Sequence, residues 1–183
     1  EIERRSWYGY WNYGDVMHSY DEVRHTWRYD FGGCAWQNTE FAPNLWLWTH
    51  FLRSADPVAF RLARSMTRHT SEVDCYHSGP YTGMGSRHNV VHWGCSCKEA
   101  RIMMAFLHRI FYYLTADERI GEIMEMTVDV DYRVLEKDPM SMYYPEAKQH
   151  DIHVRSGPDW TAFASNWITH DERTGEHKYL NKL

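Results

Sequence analysis

Between Cys75 and Lys98 the chain runs for 24 residues without an aspartate or a glutamate, although its net charge is −5. The run carries Arg87, Lys98, three imidazoles (His77, His88, His92), two phenols (Tyr76, Tyr81), the amide of Asn89 and the indole of Trp93. Guanidinium and amide groups bind carboxylates. Imidazole and phenol move protons near working pH. Such a mixture, cleared of acidic side chains, suits an anionic substrate and a proton transfer. Glycines at 79, 83, 85 and 94 and Pro80 exclude one continuous helix across it. A connector this long is functional or disordered more often than inert, and its Trp, Tyr and Val content argues against disorder.

Helices must hold this loop. Phe41, Leu45, Trp48 and Leu52 recur with helical spacing over 36–54, with Pro43 either in the first turn or marking a break. Asp56-Pro57 reads as N-cap and N1 of a second helix through Phe60, Ala63, Met66 and Thr67. Beyond the loop, a helix is expected from about Cys97 to Leu114. A further one follows Asp117 through Ile120, Ile123, Met124, Thr127, Val128 and Leu135. Residues 138–157 read as loop. Pro158-Asp159-Trp160 then opens a helix through Phe163, Trp167 and Ile168. Residues 1–35 are irregular, dense in polar aromatics, and offer Arg24 and His25 as a second wall. No strand pattern competes.

An internal echo runs through these helices. Leu114-Thr-Ala-Asp-Glu-Arg-Ile-Gly-Glu122 returns as Ile168-Thr-His-Asp-Glu-Arg-Thr-Gly-Glu176, and a weaker copy is Leu52-Arg-Ser-Ala-Asp56. Each copy reads as the end of one helix and the start of the next, with Asp as N-cap. Two helices per repeat describe stacked helical hairpins, so the expected class is all-α, an α/α toroid or related solenoid.

The bulk composition narrows function. An acidic balance argues against general nucleic-acid binding, and no apolar run reaches the ~20 residues of a membrane span. Nine Trp and thirteen Tyr suit large cores or sugar-stacking surfaces. Cys34, Cys75, Cys95 and Cys97 lack metal-knuckle or redox spacing and read as small buried residues. The compartment stays open. A start at Glu1 rather than Met is expected of a piece of a longer polypeptide.

The strings YGDVMHSYDEVRHTWRYDFGG, AWQNTEFAPNLWLWTHFLR, TRHTSEVD, GSRHNVVHWGCSCKEARI, YYLTADER and GPDWTAFASNW resemble the C-terminal α/α toroid of exo-rhamnogalacturonan lyases, polysaccharide lyase family 26. The resemblance covers nearly the whole chain. It implies a toroid of about six hairpins flanked by β-rich domains, of which this chain would supply roughly half. It also implies β-elimination at a galacturonate of rhamnogalacturonan I. That reaction needs a group that neutralises the C6 carboxylate, a base for the C5 proton and an acid for the O4 leaving group.

On chemical grounds Arg87 and Asn89 would neutralise the carboxylate, and His88 or His92 would be the base. Tyr81 would be the acid, with Tyr76 behind it. Trp93 would stack on sugar. His77, Tyr76, Arg68, His69, Arg24 and His25 complete the expected binding set. No cofactor is expected; the metal requirement stays open. Three rival readings exist. One is a zinc site on His88 and His92 with His77 or Cys95. Another is a glycoside hydrolase using carboxylates such as Asp30, Glu40, Glu72 or Asp74. The third is a glycan-binding domain without catalysis.

Overall fold

Asp56, Asp117 and Pro158 stand where the local chemistry demands helix starts. The computed structural model, which describes residues 19–28, 42–86, 89–90, 93–94, 98–135 and 154–183, places helices there. The described residues fall into two compact units, those within 1–74 and 86–96 and those within 75–85 and 97–183.

In the first unit, α1 (Pro43–Ser54) and α2 (Pro57–Glu72) form a helical hairpin. Pro43 is the first helical residue of α1, which settles its role. Asp56 Oδ1 accepts from Val58 N at 2.8 Å, the expected cap. Trp48 is sealed between the helices. Its Nε1 donates to Thr67 Oγ1 at 2.9 Å, and its ring meets Phe60 edge-on at 5.5 Å. The inward face of α1 runs through Asn44, Leu47 and Trp48; Leu52, assigned to that face from its spacing, is 58% exposed. The unit also holds two short antiparallel ribbons that the sequence pattern did not disclose. These are β1 (Ser19–Asp21) with β2 (Thr26–Arg28), and β3 (Asn89–Val90) with β4 (Trp93–Gly94). They are too short to alter the all-α class.

The second unit is built from α3 (Ala105–Thr115), α4 (Glu118–Met126), the short α5 (Val130–Arg133) and α6 (Pro158–Thr174). A 3-10 turn at Ala100–Ile102 precedes α3, and another at His177–Lys182 closes the chain. Met84, Ala100, Val128, Val130, Val134, Ala162, Phe163 and Trp167 pack into its core. One buried amide ties three elements. Asn166 Oδ1 accepts from Ala105 N (2.8 Å), the first N–H of α3, while its Nδ2 donates to Thr127 O (3.0 Å) just past α4. Trp167 Nε1 donates to the next carbonyl, Val128 O, at 3.0 Å. Among the described residues no helix is long and apolar enough to cross a membrane.

The hairpin turns repeat, but not in the register of the sequence echo. Ser54, Thr115 and Thr174 each end a helix, and each hydroxyl donates to the carbonyl four residues back (2.8, 2.7 and 2.9 Å). Ala55 (φ 53), Ala116 (φ 53) and Gly175 (φ 72) follow in the left-handed region. Their N–H groups close the last turn on Phe51, Tyr112 and Asp171. An acid comes next: Asp56, Asp117 or Glu176. The structural repeat is thus Ser/Thr, a left-handed small residue and an acid, about sixty residues apart. The weaker sequence copy matches it, whereas Asp171 of the stronger one lies inside α6 rather than capping a new helix.

Alanine in that conformation is strained by its Cβ. Ala55→Gly and Ala116→Gly are expected each to raise stability by about 0.5–1 kcal/mol. A higher urea midpoint at unchanged slope would show it; a midpoint equal to or below the parent's would refute it.

Candidate functional site

Two consecutive turns shape the loop over residues 75–85. Gly79 O accepts from Thr82 N (3.2 Å) and from Thr82 Oγ1 (2.7 Å), with Pro80 setting the first corner. Tyr81 O then accepts from Met84 N (2.9 Å), with Gly83 at φ 85, the positive value that the third residue of a type II turn requires. Tyr76 pairs across them: its N–H donates to Met84 O and its carbonyl accepts from Gly83 N, both at 2.9 Å. Gly85 exchanges both backbone bonds with Glu99 (3.0 and 2.9 Å), which fixes the position of Lys98.

These constraints bring three side chains together. The rings of Tyr76 and Tyr81 meet edge-on with centroids 6.2 Å apart. Lys98 Nζ lies 5.4 Å from the Tyr76 centroid and 5.2 Å from that of Tyr81. All three residues are half-buried. The neighbouring acid, Glu99, accepts a close hydrogen bond from Arg101 Nε. At the exposed side of the loop, Arg119 donates to His77 Nδ1 at 3.1 Å and pairs with Glu122 at 2.8 Å. A guanidinium can only donate, so Nδ1 is the acceptor and the His77 proton sits on Nε2. His77 therefore presents a donor rather than a base.

The other expected residues are placed as follows. Arg68 lies in the last turns of α2, in a close ion pair with Glu72. His69 corrects its expectation as a substrate contact. Its side chain and that of Asp74 are both 0% exposed, with Nε2 3.8 Å from Asp74 Oδ2, and burial pushes its pKa down to about 4. A group so enclosed has no surface to offer a polysaccharide. Arg24 and His25 are exposed at the tip of the β1–β2 ribbon, His25 with φ 50. Asn89 and Trp93 enter as backbone positions in β3 and β4, Asn89 opposite Gly94 and Val90 opposite Trp93. Arg87, His88 and His92 lie outside the described residues, and so do Asp30, Glu40, Cys34, Cys95 and Cys97. Cys75 is buried, its Sγ 3.7 Å from Tyr76 O. Among the described residues no group of His, Cys, Asp and Glu could hold a metal ion. Sequence reasoning missed Arg119, which is 42 residues from its imidazole partner. It also left Lys98 without a role.

A protein of Bacillus subtilis (strain 168) named "uncharacterized protein YetA" is 57% identical over 183 residues. That alignment takes in all of this chain and 21% of the relative, so the chain spans about a fifth of the curated relative it matches. The relative's name assigns no activity. Residues 1–183 match a family described as the PcRGLX-like protein C-terminal alpha/alpha toroid domain, and the hairpins agree with that class. A match over the full length leaves no part of the chain outside it: the chain belongs to the PcRGLX-like C-terminal alpha/alpha toroid domain family, a rhamnogalacturonan lyase-related toroid domain.

Proposed function

We propose that this domain forms part of the substrate site of a lyase that cleaves rhamnogalacturonan-type pectin by β-elimination at galacturonate. The observation that carries the reading is the Tyr76–Tyr81–Lys98 cluster. Two phenols and a cation are held by backbone turns in a stretch without acidic side chains. Tyr81 protonates O4 as the glycosidic bond breaks, and Tyr76 packs behind it. His88 or His92 removes the C5 proton, while Arg87 and Asn89 draw charge from the carboxylate into their hydrogen bonds. Trp93 supplies a stacking face, His77 a donor through Nε2, and Arg24 positive charge for an acidic chain, while Arg68, whose charge Glu72 offsets, supplies hydrogen-bond donors. His69 contributes from the interior of its own unit only.

A hydrolase would need two carboxylates flanking the bond. Of the four acids considered for that role, the two described are committed elsewhere: Glu72 to Arg68, and Asp74 to the interior beside His69. This favours elimination.

Tyr81→Phe in the full-length protein tests the reading. Its ring contact with Tyr76 survives, but the leaving oxygen loses its proton source. Turnover of a rhamnogalacturonan I oligosaccharide, followed by the ultraviolet absorbance of the new C4–C5 double bond, is expected to fall about 10²-fold or more with KM nearly unchanged. Turnover within threefold of the parent would remove Tyr81 as the acid. A parent that releases saturated sugar instead would replace the lyase with a hydrolase.

A further inference from the structure

We propose that the outward ridge of α6, from Trp160 to Ile168, is a seam that receives an α-helix of a further hairpin of the full-length protein. That helix continues the ring whatever chemistry the loop performs.

The ridge is poorly suited to water. Its stretch Trp-Thr-Ala-Phe-Ala-Ser-Asn-Trp-Ile contains no charged residue. Phe163, Asn166 and Trp167 turn inward, while Trp160 and Ile168 stand 42% and 41% exposed. Thr161 is exposed beside them, and Ala164 and Ser165 are half-buried. Other helices of the chain display ordinary solvent faces. The exposed residues of α4 are Glu118, Arg119, Glu122 and Glu125, all charged. After Pro57, α2 exposes Arg61, Arg64 and Glu72.

Shape points the same way. Trp160, Ala164 and Ile168 follow one another at four-residue spacing, so two large side chains flank a small one. A second helix can settle into that dip at an axial distance of about 8–10 Å. The ring of Trp160 is steadied edge-on against Trp167, with centroids 5.7 Å apart, so one wall of the seam is formed in advance.

The occupant follows from the architecture. Helix α1 pairs with α2, and α3 with α4. Among the described residues α6 has no such mate, because its turn leads into the 3-10 turn at His177–Lys182. A toroid is a closed ring of hairpins, and the family is a toroid. The match takes in 21% of the B. subtilis relative, which leaves most of that protein to supply further helices. A repeat that ended the stack would instead carry a polar outer face. A second copy of the chain fits less well. Nine helical residues span only about 12 Å, and so short a ridge falls far below the ~1,200 Å² that separate molecules bury in a stable complex. A helix on the same polypeptide needs less area, since the connection holds its local concentration high.

Thiol labelling of the native full-length protein tests the seam, read peptide by peptide by mass spectrometry so that native cysteines are told apart. The variants are Ile168→Cys and the milder Thr161→Cys, which decides alone if the first does not fold. Each is expected to react at least about 30-fold slower than the same cysteine in urea-unfolded protein, at every protein concentration. A smaller slowing overturns the proposal. So does protection that fades on dilution, which would make the occupant a second copy. Protection that appears only when a rhamnogalacturonan oligosaccharide is added overturns it too, because the ridge would then be a sugar platform.

Discussion

Alanine in place of Gly83 is expected to cost about 3–5 kcal/mol and to dislodge Tyr76 and Tyr81 together. Two independent penalties act at this position. Its φ of 85 lies where an L side chain is strained. A Cβ there would stand 2.3 Å from Met126 O and 2.9 Å from Met126 C, backbone atoms at the end of α4 that cannot swing aside as a flexible side chain would. Relief requires the loop to lift, which breaks the bonds from Gly83 N to Tyr76 O and from Met84 N to Tyr81 O. Gly79 supplies the control. Its φ is 80, but nothing lies within 4 Å of the added Cβ, so Gly79→Ala should cost only about 1 kcal/mol. Urea unfolding of the two variants separates strain from collision. A Gly83→Ala midpoint equal to that of Gly79→Ala would mean that the seat on α4 does not hold the loop.

The contrast between those glycines shows which kind of information sequence carries. Helix starts with a local chemical cause were legible: Asp56 caps α2, Asp117 accepts from Ile120 N (3.0 Å), and Pro158 opens α6. Starts with a distant cause were not. The helix expected from about Cys97 begins at Ala105, because Glu99 is drawn into a bridge with Gly85. The first N–H of α3 is capped by Asn166, 61 residues away, and not by a neighbour. The helix expected to continue from Asp117 to Leu135 breaks after Met126. Thr127 and Val128 give their carbonyls to Asn166 and Trp167, so the chain gains two buried bonds by leaving the helix. The echo misled for a similar reason. Its aspartates align in sequence, but His170 sits buried between Glu125 (3.2 Å) and Glu176 (3.7 Å), and that setting carries α6 on to Thr174.

The site divides along the same line. Residue types alone singled out Tyr76 and Tyr81, and the structure brings their rings together. Lys98 stood at the edge of the same acid-free run, but its approach to both rings depends on the Gly85–Glu99 bridge, which has no local signature. His69 was misjudged because a cation near a helix end ordinarily faces solvent and complements the dipole. Here the inward side of α2 continues through Met66, Thr67, His69 and Thr70, so the imidazole falls inside.

Acid should loosen both compact units, because each contains an imidazole that burial holds neutral. His69 in the first and His108 in the second are pushed down by burial to pKa values of about 4, from an ordinary 6.5. His108 Nδ1 donates to Met104 O at 3.1 Å, which opposes the shift only in part. Its Nε2 is buried with no hydrogen-bond partner among the described residues, so a proton arriving there would place a charge with nothing to receive it. Between pH 6.5 and 4 the unfolded chain takes up these protons and the folded chain does not. Stability is therefore full above pH 6.5, declines as pH falls through that window, and levels off for these groups below 4. Each histidine accounts for about 2 kcal/mol at pH 5 and about 3 kcal/mol at the floor, from about 1.36 kcal/mol per pKa unit. Carboxylates titrate in the same range, so a difference measurement isolates the effect. Urea midpoints of the parent and of His108→Leu, taken at pH 7 and pH 5, should show the variant losing about 2 kcal/mol less than the parent. Equal losses would mean that His108 is already protonated in the fold or reaches water, and acid sensitivity would then have to come from the carboxylates alone.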